Sequence, residues 1–355
     1  MKNYILIAIL TMASLLMGCV KTEYVPAPDK EVTFAVGIYS PKTKAASIIA
    51  VDGIESFNSK GYLYAEGFMD HYQDFFGANG ELISWNETNE EWVPSHPYYW
   101  PKSSESYINF VSWYDKNGAP TTVSETSLVW NIDGTDRVLA ADDNIMYADE
   151  VWGYKQNNSP ATYGFDNVGE GVPTLFHHAL AQLCVKVRAS KLSDEGVSWT
   201  ISASNFIVGG IYTAGTLSLS TSEPAETPAT STWTGAWSTS GQRKTINGVT
   251  AATNITTTGV DMFPMHSVIP QVLGSTYLSF TYVIRTQYDE DNYIEETAQT
   301  GNIRFSSFSS TLTSWGQNKR ITYTVTINPE SNSILIDPEV NDWEGPISPS
   351  PLSIE

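Results

Sequence analysis

The sequence predicts an all-β chain built as two tandem β-sandwich domains behind an N-terminal signal segment. Three observations carry this. Short runs of alternating apolar and polar residues recur along the 355 residues, with turn-forming residues between them. Helical periodicity is scarce. Aromatic residues make up 12% of the chain and charged residues only 16%, a balance of extracellular β proteins rather than of disordered acidic tails. The length itself suits about two domains.

At the N-terminus, Lys2 precedes an uncharged apolar run from Tyr4 to Met17. The run is too short to cross a hydrocarbon core of roughly 30 Å, so residues 1–18 read as a signal peptide. Its end, Leu16-Met17-Gly18-Cys19, resembles a bacterial lipobox, which implies cleavage before Cys19 and lipidation of its thiol; the alternative is a plain secretory signal with an incidental cysteine. Several acyl chains, at about 0.8 kcal/mol per buried methylene, suffice for stable anchoring. Val20 leaves sorting to the outer membrane open, and Lys21-Thr22-Glu23 faintly resembles a Bacteroidetes surface-export signal. Residues 19–30 hold Pro26 and Pro28 and read as a lipidated linker. With Cys19 acylated only Cys184 remains, which excludes an intrachain disulfide; apolar neighbours make that thiol buried and inert.

The first sandwich is expected over residues 31–188. "EVTFAVGIYS" sets Val32, Phe34, Val36 and Ile38 on one face against Thr33, Ala35 and Gly37 on the other, a half-buried strand. Strand runs follow in "GYLYAEGFM", "ELISWN", "WVPSHPYYWP" and "SYINFVSWY", the last apolar on both faces and so an inner strand. Between Val129 and Asn158 one strand is expected, and Asp142 to Glu150 fits a short helix. In "TLFHHALAQLCVKVRA" two periods compete; we expect a helical or loop segment leading into a strand that starts near Ala181.

A boundary near Arg188 to Gly196 opens the second sandwich, residues 189–345. Two strands about a Gly209-Gly210 turn are expected from Val197, then a Ser/Thr-rich exposed hairpin or linker loop from Ser220 to Thr258. A hairpin about "DEDN" and a last strand pair from Arg320 and from Ser333 complete it, before a Pro-rich tail at 346–355.

Composition argues against several chemistries. A net charge of −20 excludes nucleic acid as a partner. His71, His96, His177, His178 and His266 form no zinc spacing, and His177 and His178 point to opposite sides of a strand. There is no G-x-S-x-G elbow and no phosphate loop, so no enzyme, metal or cofactor is expected. The acidic loops Asp133 to Asn144 and Asp289 to Glu296 lack the EF-hand order and read as solvated turns. Trp85, Trp92, Tyr98, Tyr99 and Trp100 cluster in sequence, as core or as an exposed surface for sugars or a partner.

The order of "YYWPKSSESYINFVSWY" (Tyr98 to Tyr114), "DNIMYAD" (Asp143 to Asp149), "FHHALAQLCVKV" (Phe176 to Val187), "VIPQ" (Val268 to Gln271) and "ITYTVTIN…VNDW" (Ile321 to Trp343) resembles the fimbrillin (FimA/Mfa-like) pilins and pilin-like lipoproteins of Bacteroidales. The resemblance implies two transthyretin-like sandwiches and a non-enzymatic structural or adhesive fimbrial subunit on the outer membrane. Its partners would be other fimbrial subunits and a surface receptor or glycan. It also implies that a protease removes the first strand with its lipid, opening a groove for a donor strand. Val32, Phe34, Val36 and Ile38 would lie on that removable strand. The family's processing is trypsin-like and often Arg-directed, whereas no arginine precedes Arg137, so the available sites are Lys42 and Lys44. The alternative is that these lysines form a solvated turn after a permanent strand. Pro346, Pro349 and Pro351 cannot donate ladder bonds, which moves a candidate donor strand to Ser333–Trp343, with Ile334 and Ile336 on one face; alternatively this is the last strand of its own domain. Such a subunit suits a tip or accessory position. A surface glycan-binding lipoprotein of a nutrient-uptake system is the competing reading.

Overall fold

The computed structural model describes residues 30–38, 54–158, 171–221 and 229–343. Cys19, the signal segment, most of the linker, Lys42, Lys44 and the tail 346–355 lie outside these residues.

The period-2 patterns fold as strands, and no α-helix occurs among the described residues. The first half contains β1 (Phe34–Ile38), β2 (Ser56–Tyr64), β3 (Gln73–Asp74), β4 (Glu81–Asn86), β5 (Glu91–Pro94) and β6 (Tyr107–Asp115). A hairpin of β7 (Thr122–Ser124) and β8 (Ser127–Ile132) follows, then β9 (Ile145–Ala148), β10 (Glu150–Tyr154) and β11 (Val172–His178). Seven of these strands close on themselves: β6, β9, β11, β1, β5, β4 and β2 pair in that order, and β2 pairs back onto β6. The beginning of β6 is left for β10, at Ile108 and Phe110, because β9 takes only its end, Trp113 to Asp115. Phe34, Phe57, Ile83, Trp92, Phe110 and Phe176 fill the ring. Each such side chain contributes about 1.5–3 kcal/mol on burial.

The second half contains β12 (Ala181–Ala189), β13 (Ser193–Asp194), β14 (Val197–Ser220), β15 (Ala229–Ser231), β16 (Thr234–Asn247), β17 (Thr253–Ile255) and β18 (Val260–Val268). It ends with β19 (Gln271–Val272), β20 (Tyr277–Gln287), β21 (Tyr293–Gln299), β22 (Ile303–Arg304), β23 (Ser314–Trp315), β24 (Lys319–Asn328) and β25 (Ser333–Asp342). One sheet runs β18-β12-β24-β25, the other β21-β20-β14-β8-β7. They share a second core in which Val185, Val187, Tyr323 and Val325 of the first meet Ile201, Phe206 and Phe280 of the second. A third core joins Tyr62, Val111 and Trp113 from the ring wall to Trp130 of β8 and Leu217 and Leu219 of β14. Strand β14 therefore contributes to two cores.

Several expectations need correction. Asp142–Glu150 is not helical: Asp142 lies in the turn Ala140–Asp143, where the Asp143 carboxylate accepts the Ala140 N–H at 2.6 Å, and β9 and β10 follow. Phe176 lies on a strand, β11, because its segment pairs with β9 on one edge and β1 on the other; β12 starts at Ala181 as expected. Gly209-Gly210 is not a turn. There β14 shifts register against β16, and Gly210 has φ +72°. A Cβ at Gly210 would lie 2.1 Å from the Ser275 carbonyl oxygen, so close approach to a neighbouring segment is what requires glycine. In the Ser/Thr-rich stretch, residues 222–228 lie outside the described residues and the rest holds β15, β16 and β17; β16 is exposed and pairs antiparallel along β14, in keeping with the hairpin expectation. The "DEDN" hairpin and the last strand pair fold as expected, as β20–β21 and β24–β25.

Candidate strand-exchange site

Strand β1 closes the ring. It runs parallel to β11 over five positions, Phe34 opposite Val172 through Ile38 opposite Phe176. Its other edge meets β5 at Phe34–Trp92 and, just upstream, Tyr99 at Glu31. Thr33 accepts the Val172 N–H and Val32 donates to Tyr98, both at 2.8 Å. Gly171 permits this approach: with φ +130° its absent Cβ would sit 2.8 Å from the Thr33 carbonyl oxygen.

Alternation explains the inner face. Val32, Phe34 and Val36 are buried in the ring core, and Ile38 packs against it from its margin. The Phe34 ring meets Phe57 and Phe110 edge-on at 5.6 and 5.7 Å and lies 6.4 Å from Phe76. The opposite face is buried too, at Ala35 and Gly37, so β1 is not the half-buried strand that its alternation predicts. Without β1, β11 and β5 would flank a slot walled by these rings.

Strand β25 is built differently. It pairs antiparallel with β24 over ten positions and, among the described residues, with no other strand. Ile334 and Ile336 are half-buried against the second core, while Leu335 is 68% exposed. Its end is pinned by Trp343, which is buried and stacks on His178 at 4.0 Å and 5°. The His178 Nδ1 lies 2.8 Å from the Asn144 amide oxygen, and burial pushes its pKa down to about 3, so the stacked imidazole is neutral. Lys319 and Asp342 pair beside it.

The remaining candidates scatter. His177 faces away from His178 and pairs with Asp149 at 2.9 Å. Trp92 and Trp100 are buried, Trp85 and Tyr98 pack against the ring core, and Tyr99 is exposed. In the first acidic loop, Arg137 reaches Asp143 at 3.1 Å and Asp115 at 2.8 Å, while in the second Asp289 accepts the backbone N–H groups of Asp291 and Asn292. Among the described residues no three His, Cys, Asp or Glu side chains gather as a metal site. Cys184 is buried, which pushes its thiol up to about 12.

Two acids beside the ring escaped sequence reading. Glu125 is buried and accepts from Tyr64 Oη at 2.8 Å and Asn109 Nδ2 at 2.6 Å. Glu150 is fully buried, its carboxyl oxygens have no hydrogen-bond partner, and burial pushes its pKa up to about 10. It is therefore neutral at pH 7. The available signal was register: Glu150 alternates with Asp149 at the start of a strand that continues as Val151-Trp152.

The sequence model of the fimbrillin-like family matches residues 63–343. A fimbrial protein from Bacteroides vulgatus shares the fold with a TM-score of 0.55 at 13% identity, over 88% of this chain and 99% of its own. A proposed cell adhesion protein from Bacteroides uniformis is 16% identical with a TM-score of 0.44, over 90% of this chain and 100% of its own. The fimbrial anchor protein Mfa2 from Porphyromonas gingivalis is 9% identical with a TM-score of 0.29, over 89% of this chain and 99% of its own. No curated protein matches this sequence.

Proposed function

The chain belongs to the fimbrillin-like family, and from that premise we propose that it is a non-enzymatic structural or adhesive subunit of a surface fimbrium. In this reading it is exported as an outer-membrane lipoprotein on Cys19, folds as two sandwich domains, and assembles with other fimbrial subunits by strand complementation. Cleavage at Lys42 or Lys44 releases β1 together with the lipid. The observation that carries the reading is the position of β1: it closes the ring with five positions on β11 and three buried side chains. A strand lost there leaves ladder groups unpaired and apolar pockets at alternate positions, which an incoming strand of the same pattern satisfies.

A donor role for Ile334 and Ile336 would require β25 to leave ten paired positions on β24. An acceptor role asks nothing of β25, so we place the subunit at a tip or accessory position. The competing glycan-binding reading gains nothing from Trp92 and Trp100, which are inside the ring core.

The N-terminus of protein taken from assembled fibres tests the proposal by mass spectrometry. A chain starting at Thr43 or Ala45 is expected. A mature form that always keeps acylated Cys19 would refute release of β1.

A further inference from the structure

Strand β25 gives one edge to β24 over ten positions, and among the described residues its other edge meets no strand. The ladder tells which backbone groups face which way. One step past the pair Asp342–Lys319, the Trp343 N–H donates to the Asn318 carbonyl at 3.0 Å. Bonded and non-bonded pairs alternate along an antiparallel ladder, so the odd-numbered residues of β25 bond β24 and the even-numbered ones face outward. Ile334, Ile336, Val340 and Asp342 therefore aim N–H groups at the open edge. Pro338, opposite Tyr323 in the same register, has none to aim. It costs β25 no bond to β24, and it interrupts the outward row at its middle.

An open edge is a template for another chain, and the run Ile334-Leu335-Ile336 is apolar, with Leu335 exposed. The simplest occupant is a second copy of β25 about a two-fold axis, because each copy then offers the other the same edge. Centred on Pro338, that pairing sets Ile336 against Val340 and Asp337 against Glu339, each twice. The apolar pairs favour it. The middle opposes it: two prolines meet where two hydrogen bonds should form, and like charges face each other on either side. Shifted registers keep Pro338 at a bonding position and shorten the ladder. The opposite edge of the same sheet is closed in another way. At β18 the Met262 carbonyl accepts the Val249 N–H at 2.8 Å and the Ser267 N–H donates to the Ala141 carbonyl at 2.7 Å, with Pro264 between them. The inner strands β12 and β24 hold no proline.

We propose that Pro338, flanked by Asp337 and Glu339, bars the open edge of β25 from pairing with a second copy of the chain. The bar is built into the folded subunit and holds whether or not β1 is released, so it does not depend on strand complementation.

Light scattering on the size-separated full chain, with hydrogen exchange read residue by residue, tests it. The parent should be monomeric and should exchange the N–H groups of Ile334, Ile336, Val340 and Asp342 quickly. P338V/E339K supplies the missing N–H and sets Asp337 against a basic side chain of the other copy. Its molar mass should double, and exchange at those four positions should slow by about tenfold or more. E339K alone keeps the proline and should stay monomeric. If P338V/E339K melts far below the parent, P338A/E339K carries the same test. A monomeric P338V/E339K that melts like the parent would overturn the proposal. So would a parent already paired through β25, a dimer of E339K alone, or a dimer of the double variant that is protected on other strands instead.

Discussion

Strands β1 and β25 lie near opposite ends of the described chain and follow opposite rules. β1 has five residues, β25 ten. The short strand is paired on both edges and buried on both faces, whereas the long one is paired on one edge and alternates between half-buried and exposed residues. The difference teaches that the consequence of losing a strand depends on what it closes, not on its length. Losing β1 opens a ring and uncovers its aromatic filling. Losing β25 removes a ladder from an edge and leaves the second core mostly covered by β12 and β24.

The sharpest way to break this comparison is to place a charge in each strand. Phe34→Asp should cost more than about 4 kcal/mol, because it combines a cavity with an unpaired buried carboxylate. Ile336→Asp, at a half-buried site, should cost less, as read by thermal melting of the full chain. Equal losses would contradict the contrast. Next in size is Trp343→Ala, expected to cost about 3–5 kcal/mol. Because Trp343 anchors the end of β25 on His178, hydrogen exchange should accelerate along β25 while β1 keeps its protection.

A smaller effect distinguishes the ring by pH. Glu150 has its folded pKa raised from 4.5 to about 10, so its stabilising contribution is complete below pH 4.5 and is lost progressively as pH rises toward 10. Glu125 is shifted in the same direction by its burial. The melting temperature should therefore fall between pH 5 and 9, and E150Q should flatten that slope and raise the melting temperature at pH 8 by a few degrees. An unchanged slope would mean that Glu150 reaches solvent. Smallest of all, Leu335→Lys on the exposed face of β25 should change stability by no more than about 0.5 kcal/mol.

Much of the strand inventory was legible because side chains alternate with period two, and the apolar-on-both-faces pattern of β6 correctly marks a strand buried on both sides. The errors have physical causes. Phe176, Leu180 and Leu183 are spaced as on a helix, yet all three are buried because β11, a tight connection and β12 each turn one residue inward. Gly209-Gly210 imitates a turn because glycine serves close packing as well as reversal. Charged residues read as exposed by default, which hid Glu125 and Glu150. Of the candidate site, the inward faces of Val32, Phe34 and Val36 followed from alternation, but the second buried face of β1 did not.

By itself, the sequence determined where many of the strands run, which of their side chains share a face, that the "DEDN" segment reverses the chain, and that the chain is acidic. These are local properties, set by backbone geometry and by the period of the side chains. The tertiary structure alone decided that β1 lies parallel to β11, whose residues follow by well over a hundred positions, that the first sheet closes into a ring, and that β14 runs unbroken between two cores. Alternation names a strand's faces but says nothing about its edges. Which edge meets which strand depends on distant segments being buried together.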